Sequence, residues 1–206
     1  MKKLLERIKL CKLPPPQRRS LPYECYWEDS ILTQEQERIF SNQWLGLGRS
    51  DRLENPGEYE VFELCGQALV LIRNQDKELR LYANTCRHRG AKLLDGTGQC
   101  QAISCPFHGW IYSLDGNLKH AKTMTENPSF DFEEHSLIEY KLKELQGFLF
   151  VFLGNKPTDL SSQLGNFSEL HQPWSMNELV TTRRATFEVQ CNWKAFLDVF
   201  NEYYHL

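Results

Sequence analysis

The chain has 206 residues, 41% apolar and 25% charged, enough to bury a core in one large domain or two small ones. Lys and Arg number 24 against 27 Asp and Glu, a formal charge of −3, which excludes a protein built chiefly to grip nucleic acid. No apolar run approaches the roughly 18 residues of a membrane-spanning helix, and no membrane association is expected. The opening residues, MKKLLERIKLCK, lack the uninterrupted apolar stretch of a secretory signal and read as a short amphipathic helix or a frayed end. Seven cysteines, an odd number without an export signal, point to a reduced, cytoplasmic setting and away from a disulfide framework.

Residues 14–22 (PPPQRRSLP) read as an extended arm. Thr33 through Gln36 reads as a capping box, opening a helix that runs to about Trp44 on the apolar stripe Ile39, Phe40 and Trp44, with Gly46 and Gly48 ending it. From Gly57 the period changes. Tyr59–Leu64, Ala68–Arg73 and Glu78–Ala83 are β-type runs, with a polar turn at Asn74–Lys77. Trp110–Leu114 with Asp115-Gly116 predicts a hairpin closed by a type I′ turn, and Gly147–Leu153 predicts a buried strand. Residues 154–173 read as a linker, Arg184–Cys191 as an alternating strand, and Asn192–Leu206 as a helix. These elements divide the chain into an N-terminal arm and helix (1–45), a small antiparallel β-domain (46–155), and a linker with the start of a further domain (156–206).

The pattern with chemical content is Cys86-Arg-His88, sixteen residues, then Cys105-Pro-Phe-His108. Each segment follows a strand-like run, so two loop tips each offer a thiolate and an imidazole. Structural zinc takes Cys₂His₂ sites, most often with both thiols on one loop and both imidazoles on the other. Mixed loops suit a [2Fe–2S] cluster of the Rieske type, with two Cys on one iron and two His on the other. The plain alternative is two unrelated Cys/His pairs. The remaining cysteines have no His at ligand spacing. His120, His135 and His171 stand in polar stretches and read as surface residues, and Arg87, Arg89 and Lys92 read either as solvated or as a docking face beside the first loop.

Cys86-Arg-His88-Arg-Gly90 and Cys105-Pro-Phe-His108-Gly-Trp110, followed by Tyr112 and Asp115-Gly116, resemble the Rieske domain of the aromatic-ring-hydroxylating, or Rieske non-haem iron, oxygenase α subunits. Asn192-Trp193-Lys194, Asp198 and Glu202-Tyr-Tyr-His205 resemble the start of that family's catalytic helix. The resemblance implies an α+β fold: a small antiparallel Rieske domain with an N-terminal helix, then the beginning of a helix-grip catalytic domain, cut short at Leu206. It implies a [2Fe–2S] cluster held by Cys86, His88, Cys105 and His108, and a mononuclear Fe(II) with His205 as one of three protein ligands. Glu202 would be the acid linking the two metal centres across a subunit interface. Glu202 and His205 are three residues apart, the spacing that shares a helix face. The implied reaction is O₂-dependent hydroxylation or demethylation of a small organic substrate. Electrons would come from an NAD(P)H-dependent reductase or ferredoxin, and the oxygenase would be a homo-oligomer, usually a trimer. Most relatives carry Asp where Glu202 stands; Glu resembles the branch that oxidises quaternary ammonium compounds. With one iron ligand out of three, the 206 residues alone are expected to be reducible but inactive. The rival reading is a stand-alone Rieske ferredoxin, against which the segment from Asn192 to His205 argues, since an electron carrier needs no second iron site.

Overall fold

The computed structural model describes residues 2–14 and 16–201. The chain forms two compact units, Phe40–Thr182, and Met1–Ile39 with Arg183–Leu206.

The larger unit is built from antiparallel strands in three sheets. β2 (Glu58–Leu64), β3 (Gln67–Arg73), β4 (Leu79–Ala83) and β5 (Thr97–Gln99) form the central sheet, in the order β4-β3-β2-β5. β1 (Trp44–Arg49), β9 (Lys141–Leu145) and β10 (Phe148–Phe152) form a second sheet, in the order β1-β10-β9. β6 (Ile103–Ser104), β7 (Ile111–Tyr112) and β8 (Leu118–His120) form the third. The run Leu69-Val-Leu-Ile72 explains the layering. All four residues are fully buried because β3 is covered on both faces. Leu69 and Leu71 pack with Leu81, Leu149 and Val151 toward the second sheet. Val70 and Ile72 face the opposite way, into a core with Tyr82, Ile103, Tyr112 and Leu118.

The smaller unit is helical: α1 (Lys2–Lys9), α2 (Glu24–Trp27), α3 (Asp29–Arg38) and α6 (Trp193–Asn201), with α4 (Leu160–Leu164) and α5 (Phe167–His171) belonging to the larger unit. Among the described residues no helix is long and apolar enough to cross a membrane.

Several local expectations are corrected. α3 starts at Asp29, not after Thr33; Thr33 lies inside it, with its hydroxyl bonded back to the Asp29 carbonyl at 3.0 Å. A Ser/Thr hydroxyl bonds the preceding turn as readily as it caps, so the local pattern was ambiguous. Trp44, Gly46 and Gly48 belong to β1, where the register shifts between Gly46 and Gly48 and Gly48 takes a φ of 98°. The hairpin after Tyr112 is wider than a type I′ turn. The Ser113 and Gly116 amides donate to the Asn117 and Ser113 carbonyls, and only Gly116 of the turn has positive φ. Residues 154–173 hold α4 and α5. Asp159 caps α4 through the Ser162 amide at 2.9 Å, and Gln163 brackets the Trp44 backbone. Arg184–Cys191 forms no strand; it has the alternation but no hydrogen-bonded neighbour strand among the described residues. The arm at 14–22 contains a turn at Pro16-Gln17 and is otherwise irregular over 18–22.

Candidate metal centre

The two Cys/His segments fold into the same loop twice. In the first, the Cys86 amide donates to the Ala91 carbonyl at 2.8 Å and the Gly90 amide donates to the Cys86 carbonyl at 3.0 Å. In the second, the Cys105 amide donates to the Trp110 carbonyl at 2.7 Å and the Gly109 amide to the Cys105 carbonyl at 3.0 Å. Gly90 and Gly109 have φ of 72° and 70°, a backbone region that side chains rarely enter, which is why each loop closes on glycine. The histidine falls two residues after Cys86 but three after Cys105, so one loop shape accounts for both spacings. β4 leads into the first loop and β6 into the second.

Cys86 and Cys105 are each 3% exposed and belong to one core cluster with Trp110 and Tyr112. His88 is half-buried and His108 exposed, with ring centroids 4.7 Å apart. The thiols therefore stand inside and the imidazoles outside. Burial raises the Cys86 thiol pKa, and neighbouring Cys105 adds to the rise, so a metal binding there displaces a proton. Burial, then His108 and Arg89, lower the His88 pKa and favour the neutral imidazole that ligates metals.

A single tetrahedral zinc needs four donors at one point; a two-iron cluster needs two at each metal. Among the described residues no three Cys, His, Asp or Glu side chains gather around one ion position. The donor set present is two buried thiols beside one half-buried and one exposed imidazole, and it fits the cluster.

The surroundings of the loops include Tyr112 and Trp110, which the motif contains, and Asn84, which sequence reasoning passed over. The Tyr112 hydroxyl, in a fully buried side chain, lies 3.3 Å from Cys86 Sγ and accepts the Arg87 amide at 3.1 Å. Burial first, and then the Cys86 contact, raise its pKa far enough to keep the phenol neutral in ordinary buffers. Tyr112 stands two residues after Trp110 on the same extended stretch, and that period-two step placed both rings on one face. Trp110 stacks on His88 at 4.8 Å and 12°. Asn84, 1% exposed, ties its side-chain amide to the Leu94 backbone at 2.8 and 3.0 Å and so braces the ends of the first loop. No spacing pattern marks Asn84, because its partner is backbone. His135, expected at the surface, is half-buried. It stacks on Phe130 at 4.3 Å and meets Trp110 edge-on at 5.8 Å. His171 is also half-buried, its Nδ1 2.7 Å from the Phe167 carbonyl. Arg87, Arg89 and Lys92 are exposed, and Lys92 pairs with Asp95.

At the other candidate site, Asn192 Oδ1 accepts the Lys194 amide at 3.1 Å at the start of α6, and Asp198 accepts the Tyr26 hydroxyl at 2.7 Å. Glu202 and His205 lie outside the described residues.

Residues 43–136 match the family model of the Rieske [2Fe–2S] domain. Over 194 residues the chain is 32% identical to the carnitine monooxygenase oxygenase subunit of Escherichia coli K12, an alignment covering 93% of this chain and 52% of that one. It is 30% identical over 201 residues to the chloroplastic choline monooxygenase of Beta vulgaris, covering 95% and 45%. Among solved structures it superposes with a TM-score of 0.83 and 34% identity on a quaternary ammonium Rieske monooxygenase. That structure is described as giving insights into carnitine oxidation by gut microbiota and inter-subunit electron transfer; the match covers 89% of this chain and 51% of that one. The chain spans about half the length of the curated relatives it matches.

Proposed function

We propose that this chain, which is similar to the N-terminal portion of Rieske oxygenase α subunits, serves as part of an oxygenase component acting on a quaternary ammonium compound. The observation that carries the reading is the doubled loop, which presents two buried thiols and, outside them, the half-buried His88 and exposed His108 side by side. Cys86 and Cys105 would hold one iron of a [2Fe–2S] cluster, and His88 and His108 the other. Bound there, the cluster supplies one-electron storage, which a monooxygenase needs when its electrons come from NAD(P)H through a reductase or ferredoxin.

The chain's own residues set the conditions for that chemistry. The glycine-closed loops fix the Cys carbonyls and amides, so the thiols enter the core at defined angles. Tyr112 presents a neutral hydroxyl to Cys86 Sγ and anchors it through the Arg87 amide. Trp110 covers one face of His88 and keeps water from it. His108 stands exposed, on the side where a redox partner can approach. His205 is assigned as a ligand of a mononuclear iron and Glu202 as the acid linking that site to a cluster histidine of a neighbouring subunit in an oligomer. Both assignments rest on the resemblance of Glu202-Tyr-Tyr-His205 to the start of the family's catalytic helix. Of the two substrate classes expected, aromatic and quaternary ammonium, the second is favoured by Glu202 and by likeness to carnitine and choline monooxygenases.

Two measurements test the reading. Purified protein should be red-brown, with acid-labile sulfide equal to iron; colourless protein with zinc and no sulfide overturns the cluster. With the native oxygenase, a reductase and NADH, O₂ uptake should rise on adding carnitine, glycine betaine or choline. A response to an aromatic substrate alone overturns the substrate class.

A further inference from the structure

Only one residue of α6 is buried, and it is a lysine. Of its apolar side chains, Phe196, Leu197, Val199 and Phe200 are 44 to 72% exposed, and Trp193 and Ala195 are half-buried. Core packing within the described residues therefore does little to place this helix; polar contacts do. Lys194 Nζ donates to Glu35 Oε2 at 2.6 Å, with the two side chains 9% and 12% exposed. Trp193 Nε1 donates to the same oxygen at 2.9 Å. One turn later, the Tyr26 hydroxyl donates to Asp198 Oδ2 at 2.7 Å. Lys194 and Asp198 are four residues apart and share a face. A contact at one turn fixes where the helix starts, and a second at the next turn fixes its rotation about its own axis.

We propose that Glu35 and Tyr26, from α3 and α2, are positioning residues that set the register and rotation of α6. In the sequence Glu202 and His205 stand four and seven residues after Asp198. The consequence for the iron site rests on the oxygenase reading; the placement of α6 does not. A buried ion pair adds little net stability, because desolvation consumes most of the attraction, but breaking it by removing one partner leaves an uncompensated charge. The Glu35–Lys194 pair therefore serves orientation more than stability.

The test uses the full chain and four proteins: wild type, Tyr26→Phe, Glu35→Gln, and Glu35→Gln with Lys194→Gln, which removes the stranded charge. Amide hydrogen exchange in α6 should quicken by about tenfold or more in Glu35→Gln, the loss of one hydrogen bond to a charged group, while β3 exchange and the visible spectrum stay unchanged. The double variant should regain wild-type thermal stability yet keep a fast-exchanging α6; protection that returns with stability marks a merely structural staple and overturns the proposal. The Tyr26 phenol gives a second reading away from the mutated site. Burial and the Asp198 contact push its pKa up to about 12. Titrated against the Tyr26→Phe protein, it should fall toward the ordinary tyrosine value in Glu35→Gln, because Asp198 moves when the helix start is released. A Tyr26 midpoint unmoved by Glu35→Gln overturns the proposal even if the oxygenase reading holds. A displaced helix in a protein without oxygenase activity leaves the positioning intact and removes only its link to iron.

Discussion

Tyr112→Phe isolates one hydroxyl at the cluster site. The Arg87 amide donates to the Tyr112 oxygen at 3.1 Å, which leaves the phenolic hydrogen free to point at Cys86 Sγ, 3.3 Å away. A hydrogen bond to a charged acceptor is worth about 1.5–3 kcal/mol. The bond favours the reduced cluster, whose sulfur ligands carry more negative charge, but some of it persists when the cluster is oxidised. If about half is differential, roughly 0.7–1.5 kcal/mol separates the two redox states, which is about 30–60 mV for one electron. The variant should therefore have a midpoint potential lower by that amount. It also strands the part-buried Arg87 amide, at a cost of about 1 kcal/mol in folding stability. Spectroelectrochemical titration followed by visible absorbance reads the potential, and iron and sulfide content confirms that the cluster is intact. An intact cluster whose potential stays within about 10 mV of wild type, or rises, would refute the reasoning, because the hydroxyl would then not be donating to sulfur.

The other expectations follow from single contacts. Cys86→Ser should abolish cluster assembly, since a hydroxyl is no soft ligand for iron; iron and sulfide analysis of the purified variant decides it. The cluster potential should fall with rising pH in the alkaline range, by up to about 59 mV per unit, because the oxidised form favours loss of the remaining imidazole proton; a flat profile would indicate all-thiolate ligation. Asp51 accepts the Thr181 amide and hydroxyl, and chiefly the amide bond lowers its pKa. Its contribution is thus present above the unfolded carboxylate range and lost as acid protonates it, so exchange of the Thr181 amide should quicken below about pH 4 and become pH-independent in Asp51→Asn after correction for intrinsic rates. Gly57→Ala should lower the melting temperature sharply, by about 2–5 kcal/mol of stability. Gly57 has φ of 83°, and a Cβ there would drive into the Cys100 carbonyl. A melting point unchanged within error would show that the backbone yields there.

What the residue pattern revealed and what it hid differ by the range of the forces involved. The central strands were legible because Leu69–Ile72 announces burial on both faces without reference to any partner. The metal loops were legible because soft and imidazole donors at short spacing are rare outside inorganic sites, and glycines mark where each loop must turn. The misreadings came where two local chemistries compete for the same letters. Thr33 can cap or bond backward, and Asp115-Gly116 serves either a tight turn or a wider one with a single left-handed residue. Arg184–Cys191 alternates like a strand, but a strand exists only when a neighbour accepts its hydrogen bonds, and no local pattern encodes that neighbour. Asn84, and the contact that Tyr112 makes, were missed for a related reason: their roles are set by partners 10 and 26 residues away. The same logic applies more strongly to α6. Its letters alone suggest an amphipathic helix that would bury Phe196 and Phe200, yet the side chain it buries is Lys194, drawn inward by Glu35 from 159 residues earlier. A buried lysine is tolerable only when its counter-charge is held in place, so the position of α6 depends on α3 holding Glu35 beneath it.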